Sequence, residues 1–467
     1  MSVLFQDKLA PQAITYMNGS ARHPLHNFIP GTVFRLAYPV MLGMMSQVLL
    51  NVVDAIMVGQ LGASALAAAG VGSMVFMVVV LTFESLGTGT QIIVSRRWGE
   101  KNREAASGTL LNSLILTIPV GLLLTSMGAF ESLPFINFLV KDTEVRELTT
   151  NYVRIRLLCL CFFLFVTSFL GYFDGIGKTL LRMKYMIIVV SLNVVLNYLL
   201  IFGKFGFPRL EVSGAALATT LSVAVGSLYV FICALKDDTL RHHPFFCKAH
   251  IHFKIIKKIV IFALPKGGRM FFTFTSFLLF IKIIGMIGVA DLAASNILLA
   301  ILSFSLMPGW GIGIAGATLV GQSLGGQKFL AARHYGWASV RFGILFMGLS
   351  GAGFIIFARD ILSLFTPDLA VINVGFVPLI ILGSVQVFDA VGIILAACLD
   401  GSGATHWVMK ADIVIHWIIL LPLAYLLAVV FNWGSAGAWA SIGVGMILYS
   451  LVMVRKFRGD SWLNIAA

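Results

Sequence analysis

The chain has 467 residues, of which 59% are hydrophobic and only 11% charged, with a mean hydropathy of +0.95. Soluble domains carry about 25% charged residues, so this chain could not cover its surface in water. It reads as an integral membrane protein, which excludes a soluble enzyme, a secreted disulfide scaffold and a disordered interaction protein. The net charge of +13 fits basic loops beside a membrane, and no nucleic-acid partner is expected.

Lipid offers backbone polar groups no partner, so membranes are crossed by helices or closed barrels. The alternation of barrel strands is absent, and a helical span needs about 20 apolar residues. Polar clusters divide the chain into twelve such spans. A cytoplasmic tail, 1–33, comes first and lacks the apolar core of a cleavable signal peptide. The first span centres on Met45 and holds Pro39 and Asp54; the second, on Phe83, holds Glu84 just before Gly87-Thr88-Gly89. The third and fourth centre on Val120 and Phe162. The fifth, on Val194, carries Asn193 and Asn197, whose i, i+4 spacing puts both amides on one face. The sixth, on Val223, carries Thr219 and completes an N-lobe, 34–235.

A basic linker, 236–258, contains His242, His243, His250 and His252, read as a solvated loop rather than a metal site. The C-lobe, 259–455, begins with a span centred on Thr273, which carries Pro265, Lys266, Arg269 and Lys282. Lys266 is expected to snorkel to the headgroups. Spans centred on Leu306 and Phe346 follow, then one on Gly383 with Asp389 at mid-span. Spans centred on Ile419 and Gly445 and a tail, 456–467, end the chain. Cys159, Cys161, Cys233, Cys247 and Cys398 lack metal-ligand spacing and read as small core residues.

With both termini cytoplasmic, 22 Lys and Arg residues fall on the inner face and 7 on the outer, which satisfies the positive-inside rule. The two lobes repeat one another at an offset of 226 residues. Pro39 matches Pro265, Leu66-Ala67-Ala68 matches Leu292-Ala293-Ala294, Gly99 matches Gly325, and Asp174-Gly175 matches Asp400-Gly401. Six spans per repeat insert the same way round, so the lobes should be related by a pseudo-two-fold axis along the membrane normal. The fold class is therefore an all-α polytopic membrane protein of twelve transmembrane helices in two six-helix lobes.

Charged groups in hydrocarbon are costly and usually mark a functional path. Asp54 is the sharpest case, because a carboxylate there can exchange a proton across the membrane or bind sodium with help from other oxygens. The repeat does not duplicate it, since Asp54 maps to Phe280; Asp389, which maps to Phe163, is also unduplicated. The oxygens of Asn193, Asn197 and Thr219 suit a hard cation, or equally serve as packing bonds between helices. Arg269 either snorkels to the headgroups or pairs with Asp389, or else the C-lobe cavity favours anionic substrates, and Glu84 either lines a cavity or bonds a neighbouring helix. Asp174 and Asp400 read as helix terminators. No P-loop, nucleophile elbow or dinucleotide fingerprint supports an enzyme.

Several segments, in order, resemble the multidrug and toxic compound extrusion (MATE) family. These are Asn51-Val-Val-Asp54 through Gly62, Ala65-Leu66-Ala67-Ala68-Ala69-Gly70, Gly87-Thr-Gly-Thr-Gln through Gly99, Val320-Gly-Gln-Ser-Leu-Gly325 and Gln386-Val-Phe-Asp389. The similarity covers about Phe34 to Arg455. It implies a cation-coupled antiporter, driven by H+ or Na+ and needing no other cofactor, that expels amphiphilic and often cationic compounds across a bacterial inner membrane. By resemblance, Asp54, Asn193, Asn197 and Thr219 occupy the N-lobe cation site, with Asn197 standing where some members have an aspartate. Asp389 corresponds to a C-lobe cation site in some members, but Thr273 stands where those members have a glutamate. Glu84, Arg269 and Thr273 are the candidate cavity residues. The expected partners are small amphiphilic substrates and membrane lipids, and the expected state is monomeric. The rival readings are a lipid-linked precursor flippase and an organic-anion exporter.

Overall fold

The computed structural model describes residues 25–127, 136, 142–243, 245 and 251–465. Cys247, His250, Lys141 and most of the N-terminal tail lie outside the described residues. Twelve described helices are long and apolar enough to cross a membrane, and each contains its predicted span centre. In the N-lobe they are α1 (Leu25–Gly59), α2 (Ala63–Gly99), α3 (Arg103–Met127), α4 (Thr143–Gly175), α5 (Leu180–Phe202) and α6 (Glu211–Lys236). In the C-lobe they are α7 (Phe253–Gly285), α8 (Val289–Gly325), α9 (Phe329–Ile356), α10 (Leu369–Gly401), α11 (Thr405–Val430) and α12 (Gly434–Arg458).

The repeat read from sequence extends to the helix ends. Helices α2 and α8 have 37 residues each, α4 and α10 have 33 each, and their boundaries keep the offset of 226. The local causes repeat as well. The Asp142 carboxylate accepts from the Val145 amide to start α4, and Asp368 accepts from the Ala370 amide to start α10. Beyond the far ends, Gly177 (φ +85) and Gly403 (φ +94) take the left-handed backbone that each tight turn requires. Helix α11 departs from its counterpart. Pro422 has no amide hydrogen to donate, and it lies between two π-helical stretches, Val414–Leu420 and Leu426–Val430.

Each lobe has a packed interior. Phe169, Tyr172, Leu160 and Val230 are fully buried in the N-lobe, as are Phe280, Leu298 and Leu379 in the C-lobe. Leu42, Leu123, Leu264 and Leu349 are exposed on the outside, as a lipid-facing surface requires. The lobes meet by exchange: α1 packs on α8, and α7 packs on α2. Ala37 and Met41 of α1 therefore belong to a C-lobe core with Ile312 and Ala315. The contacts themselves are repeat-related. Gly311 lies against the Met41 backbone, and Gly267, the counterpart of Met41, lies against Ser85, the counterpart of Gly311.

An even number of helices places the start of α1 and the end of α12 at the same, basic end of the bundle. Among the described residues, the hydrogen bonds between lobes all lie from mid-span towards that end. Gln91 donates to the Ile314 carbonyl (3.1 Å) and the Thr318 hydroxyl (2.8 Å), and Thr318 donates to the Asp174 carbonyl (2.9 Å). Gln322 donates to the Gly175 carbonyl (2.8 Å), and Arg96 reaches the carbonyls of Ser402 and Ile465.

Candidate functional site

The i, i+4 spacing on α5 places Asn193 and Asn197 side by side, and both are completely buried. Asn197 Nδ2 donates to Asn193 Oδ1 at 2.8 Å and to Asp54 Oδ1 on α1 at 2.5 Å. Asn193 Nδ2 donates to Thr219 Oγ1 on α6 at 3.0 Å, and the Thr219 hydroxyl donates to the Ala215 carbonyl at 3.1 Å. The four N-lobe residues singled out in the sequence thus form one continuous chain across three helices. Asn197 Oδ1 is buried and has no hydrogen-bond partner among the described residues. Sequence reasoning missed Arg156, a cation inside α4 whose charge attracts Asp54. It lies against the ring of Phe76, 4.1 Å from the centroid.

The C-lobe is built differently from the expectation. Asp389 is buried and its Oδ2 has no hydrogen-bond partner among the described residues. Arg269 does not reach it; its Nη2 donates to Asp400 Oδ2 at 2.9 Å. The reason is axial. Asp389 and Asp400 are eleven residues apart on α10, about 16 Å along a helix axis, and Arg269 lies level with the second. Asp400 is therefore an ion-pair partner as well as a residue near a helix end. Its counterpart Asp174 holds Arg182 at 2.7–2.8 Å, although neither arginine is duplicated by the repeat. The acids are legible as a repeated motif; the bases are found only once the helices are packed.

Thr273 donates to Asp412 Oδ2 on α11 at 2.6 Å, and His416 Nδ1 lies 3.4 Å from the same oxygen and 2.9 Å from the Asp412 carbonyl. The C-lobe polar centre therefore joins α7 to α11. Asp412 follows Lys410 in sequence and passes for a residue of the basic loop; its position inside a span was the signal available. Glu84 on α2 is partly exposed and stands 4.0 Å from Arg182 Nη1, so it bonds towards a neighbouring helix. Lys266 does not snorkel to headgroups. Its Nζ donates to the Thr88 hydroxyl on α2 at 2.7 Å, joining the two lobes, and among the described residues it forms no ion pair. The described residues contain no group of three or more His, Cys, Asp and Glu side chains able to hold a metal ion.

The family model described as MatE matches twice, at residues 39–199 and 265–426. Its two starting points are again 226 residues apart. The chain is 28% identical over 433 residues to the probable multidrug resistance protein NorM of Thermotoga maritima, covering 92% of each chain. It is 26% identical to the multidrug resistance protein MdtK of Pectobacterium atrosepticum, covering 91% of this chain and 94% of that one. Among solved structures, a MOP superfamily transporter from Pyrococcus furiosus superposes with a TM-score of 0.85 at 25% identity. That match covers 94% of this chain and 97% of the other. A MATE crystal structure in complex with MaL6 gives a TM-score of 0.84 at 24% identity, covering 92% and 96%.

Proposed function

The chain belongs to the MatE family of transporters, and from that premise we propose that it exports amphiphilic, mainly cationic compounds from a bacterial cytoplasm in exchange for a cation bound at Asp54. The basic end of the bundle is then cytoplasmic by the positive-inside rule, and the membrane is the bacterial inner membrane. The names of the relatives support multidrug export. The bonds that join the lobes at the basic end support a resting state closed to the cytoplasm.

One observation carries the choice of the N-lobe as coupling centre. Asn193 Oδ1 lies 2.9 Å from Asp54 Oδ1, an approach of two acceptor oxygens. Turning the Asn193 amide over would present a nitrogen to the carboxylate, but that nitrogen would then face the Asn197 nitrogen at 2.8 Å, donor against donor. With the amide left as it stands, a proton on Asp54 turns the close approach of Asp54 Oδ1 and Asn193 Oδ1 into a hydrogen bond, while Asn193 Nδ2 donates to Thr219 Oγ1 and also lies 3.3 Å from the Thr219 amide nitrogen. The geometry thus favours a proton as the coupling ion, while the Asn197 oxygen supplies a ligand that sodium would use.

The exchange works as a difference between states. Loading Asp54 stabilises the α1–α5–α6 cluster, and unloading it leaves a half-buried carboxylate that favours rearrangement of α1. Because α1 packs on α8 of the other lobe, a shift in α1 changes the interface between lobes. A ligand that binds the two arrangements unequally is then coupled to the ion. Dye efflux from cells stripped of their own pumps tests this, comparing wild type with Asp54→Asn. Vesicles with a proton gradient alone or a sodium gradient alone identify the ion. Full-rate gradient-driven efflux by Asp54→Asn would refute the proposal.

A second reading, export of organic anions, is favoured by Lys266, an ammonium group between the lobes with no carboxylate partner among the described residues. It predicts that negatively charged dyes are the better substrates.

A further inference from the structure

Beside the feet of four N-lobe helices, α1, α4, α5 and α6, lies a cavity of about 970 Å³ with no part in the ion chain. Its cations come from three places: Arg35 on α1, Lys178 on the α4–α5 turn and Lys184 on α5. Its carboxylate, Asp237 at the end of α6, is already engaged. One oxygen accepts from the Thr239 and Leu240 amides, and the other pairs with Lys178. Arg35 and Lys184 are exposed and form no ion pair among the described residues, so the cavity holds about two uncompensated positive charges. The rest of the wall is largely apolar, with Leu36, Leu181 and Tyr229 prominent. The Thr179 hydroxyl donates to the Leu36 carbonyl at 2.9 Å and fixes the turn against α1, so the cations sit on a tethered frame.

We propose that this cavity is a binding site for the headgroup of an anionic phospholipid, with the phosphodiester on Arg35 and Lys184 and an acyl chain along the apolar wall. The cavity lies where the apolar spans of α1, α5 and α6 begin or end, which is the depth of lipid headgroups. Basic pockets between helices at that depth suit phosphate groups. The apolar wall selects a lipid over free phosphate, because a soluble anion gains nothing from Leu36 or Leu181. A zwitterionic lipid would gain less, since its ammonium group meets the same cations.

Native mass spectrometry of the full chain, released from detergent with phosphatidylglycerol or phosphatidylcholine added, tests the site. Wild type should retain phosphatidylglycerol in preference, and Arg35→Gln/Lys184→Gln should lose about thirtyfold in affinity for it, about 1 kcal/mol per cation. The charge-preserving Arg35→Lys/Lys184→Arg should keep binding, which separates loss of charge from loss of fold. Inorganic phosphate at millimolar concentration should not displace the lipid. Equal retention of both lipids, unchanged retention in the Gln variant, loss in the charge-preserving variant while it remains monodisperse, or displacement by phosphate would each overturn the proposal.

Discussion

Gly99 of α2 lies directly against the main chain of Gln322 of α8: a Cβ at position 99 would stand 2.0 Å from the Gln322 carbonyl oxygen. The contact has a twin. A Cβ on Gly325 would stand 2.0 Å from the Arg96 carbonyl oxygen, and each residue of one contact is the repeat counterpart of a residue in the other. Two helices that cross this closely leave no room for any side chain, so the basic end of the interface closes backbone to backbone.

Gly99→Ala and Gly325→Ala are therefore expected to weaken closure at the basic end. The neighbour is main chain and cannot rotate away, so the cost falls in the overpacking range of about 1–3 kcal/mol. In a background without other cysteines, Ser95→Cys, buried next to Gly321, should react faster with a thiol reagent added from the basic side when either alanine is present. Unchanged labelling would show that the helices part elsewhere.

Coupling should depend on the N-lobe chain and not on Asp389. Asn193→Leu removes the oxygen facing Asp54 and the donor to Thr219, a loss of about 1–3 kcal/mol in buried hydrogen bonding. Proton-driven efflux should fall roughly tenfold, the equivalent of about 1.4 kcal/mol. Asp389→Asn changes a group with no hydrogen-bond partner among the described residues and should leave the rate close to wild type. Equal losses in the two variants would show that both lobes carry the ion.

The buried pair of Arg269 and Asp400 predicts a non-additive pattern. Either Arg269→Met or Asp400→Leu leaves one charge buried alone and should destabilise the protein by about 3–5 kcal/mol. The double variant removes both charges and should recover much of that loss. Thermal unfolding of the purified transporter measures all three, and additive losses would mean that the pair does not act as a unit.

Lys266 discriminates between the two readings of substrate charge. Lys266→Met should leave export of a cationic xanthene ester unchanged or faster, because a positive charge between the lobes has gone. Export of the corresponding free carboxylate dye, if wild type moves it, should decline. A large loss for the cationic ester would instead give Lys266 an essential part in the movement of the lobes.

The sequence alone determined the twelve spans, the basic end, the duplication and the acid on α1. Each of these depends on apolar run length, charge asymmetry or local spacing, all of which are written in one dimension. The faces of Asn193 and Asn197 were equally legible, because a helix fixes the direction of residues four apart. The partners of charges were not. Arg269 met Asp400 instead of Asp389, Thr273 met Asp412, and Lys266 crossed to Thr88, because pairing depends on the axial level at which two helices pack, and sequence separation carries no record of that level. Tertiary structure also decided that α1 belongs as much to the C-lobe core as to its own lobe. That exchange follows from packing glycines against neighbouring backbones across the pseudo-two-fold axis.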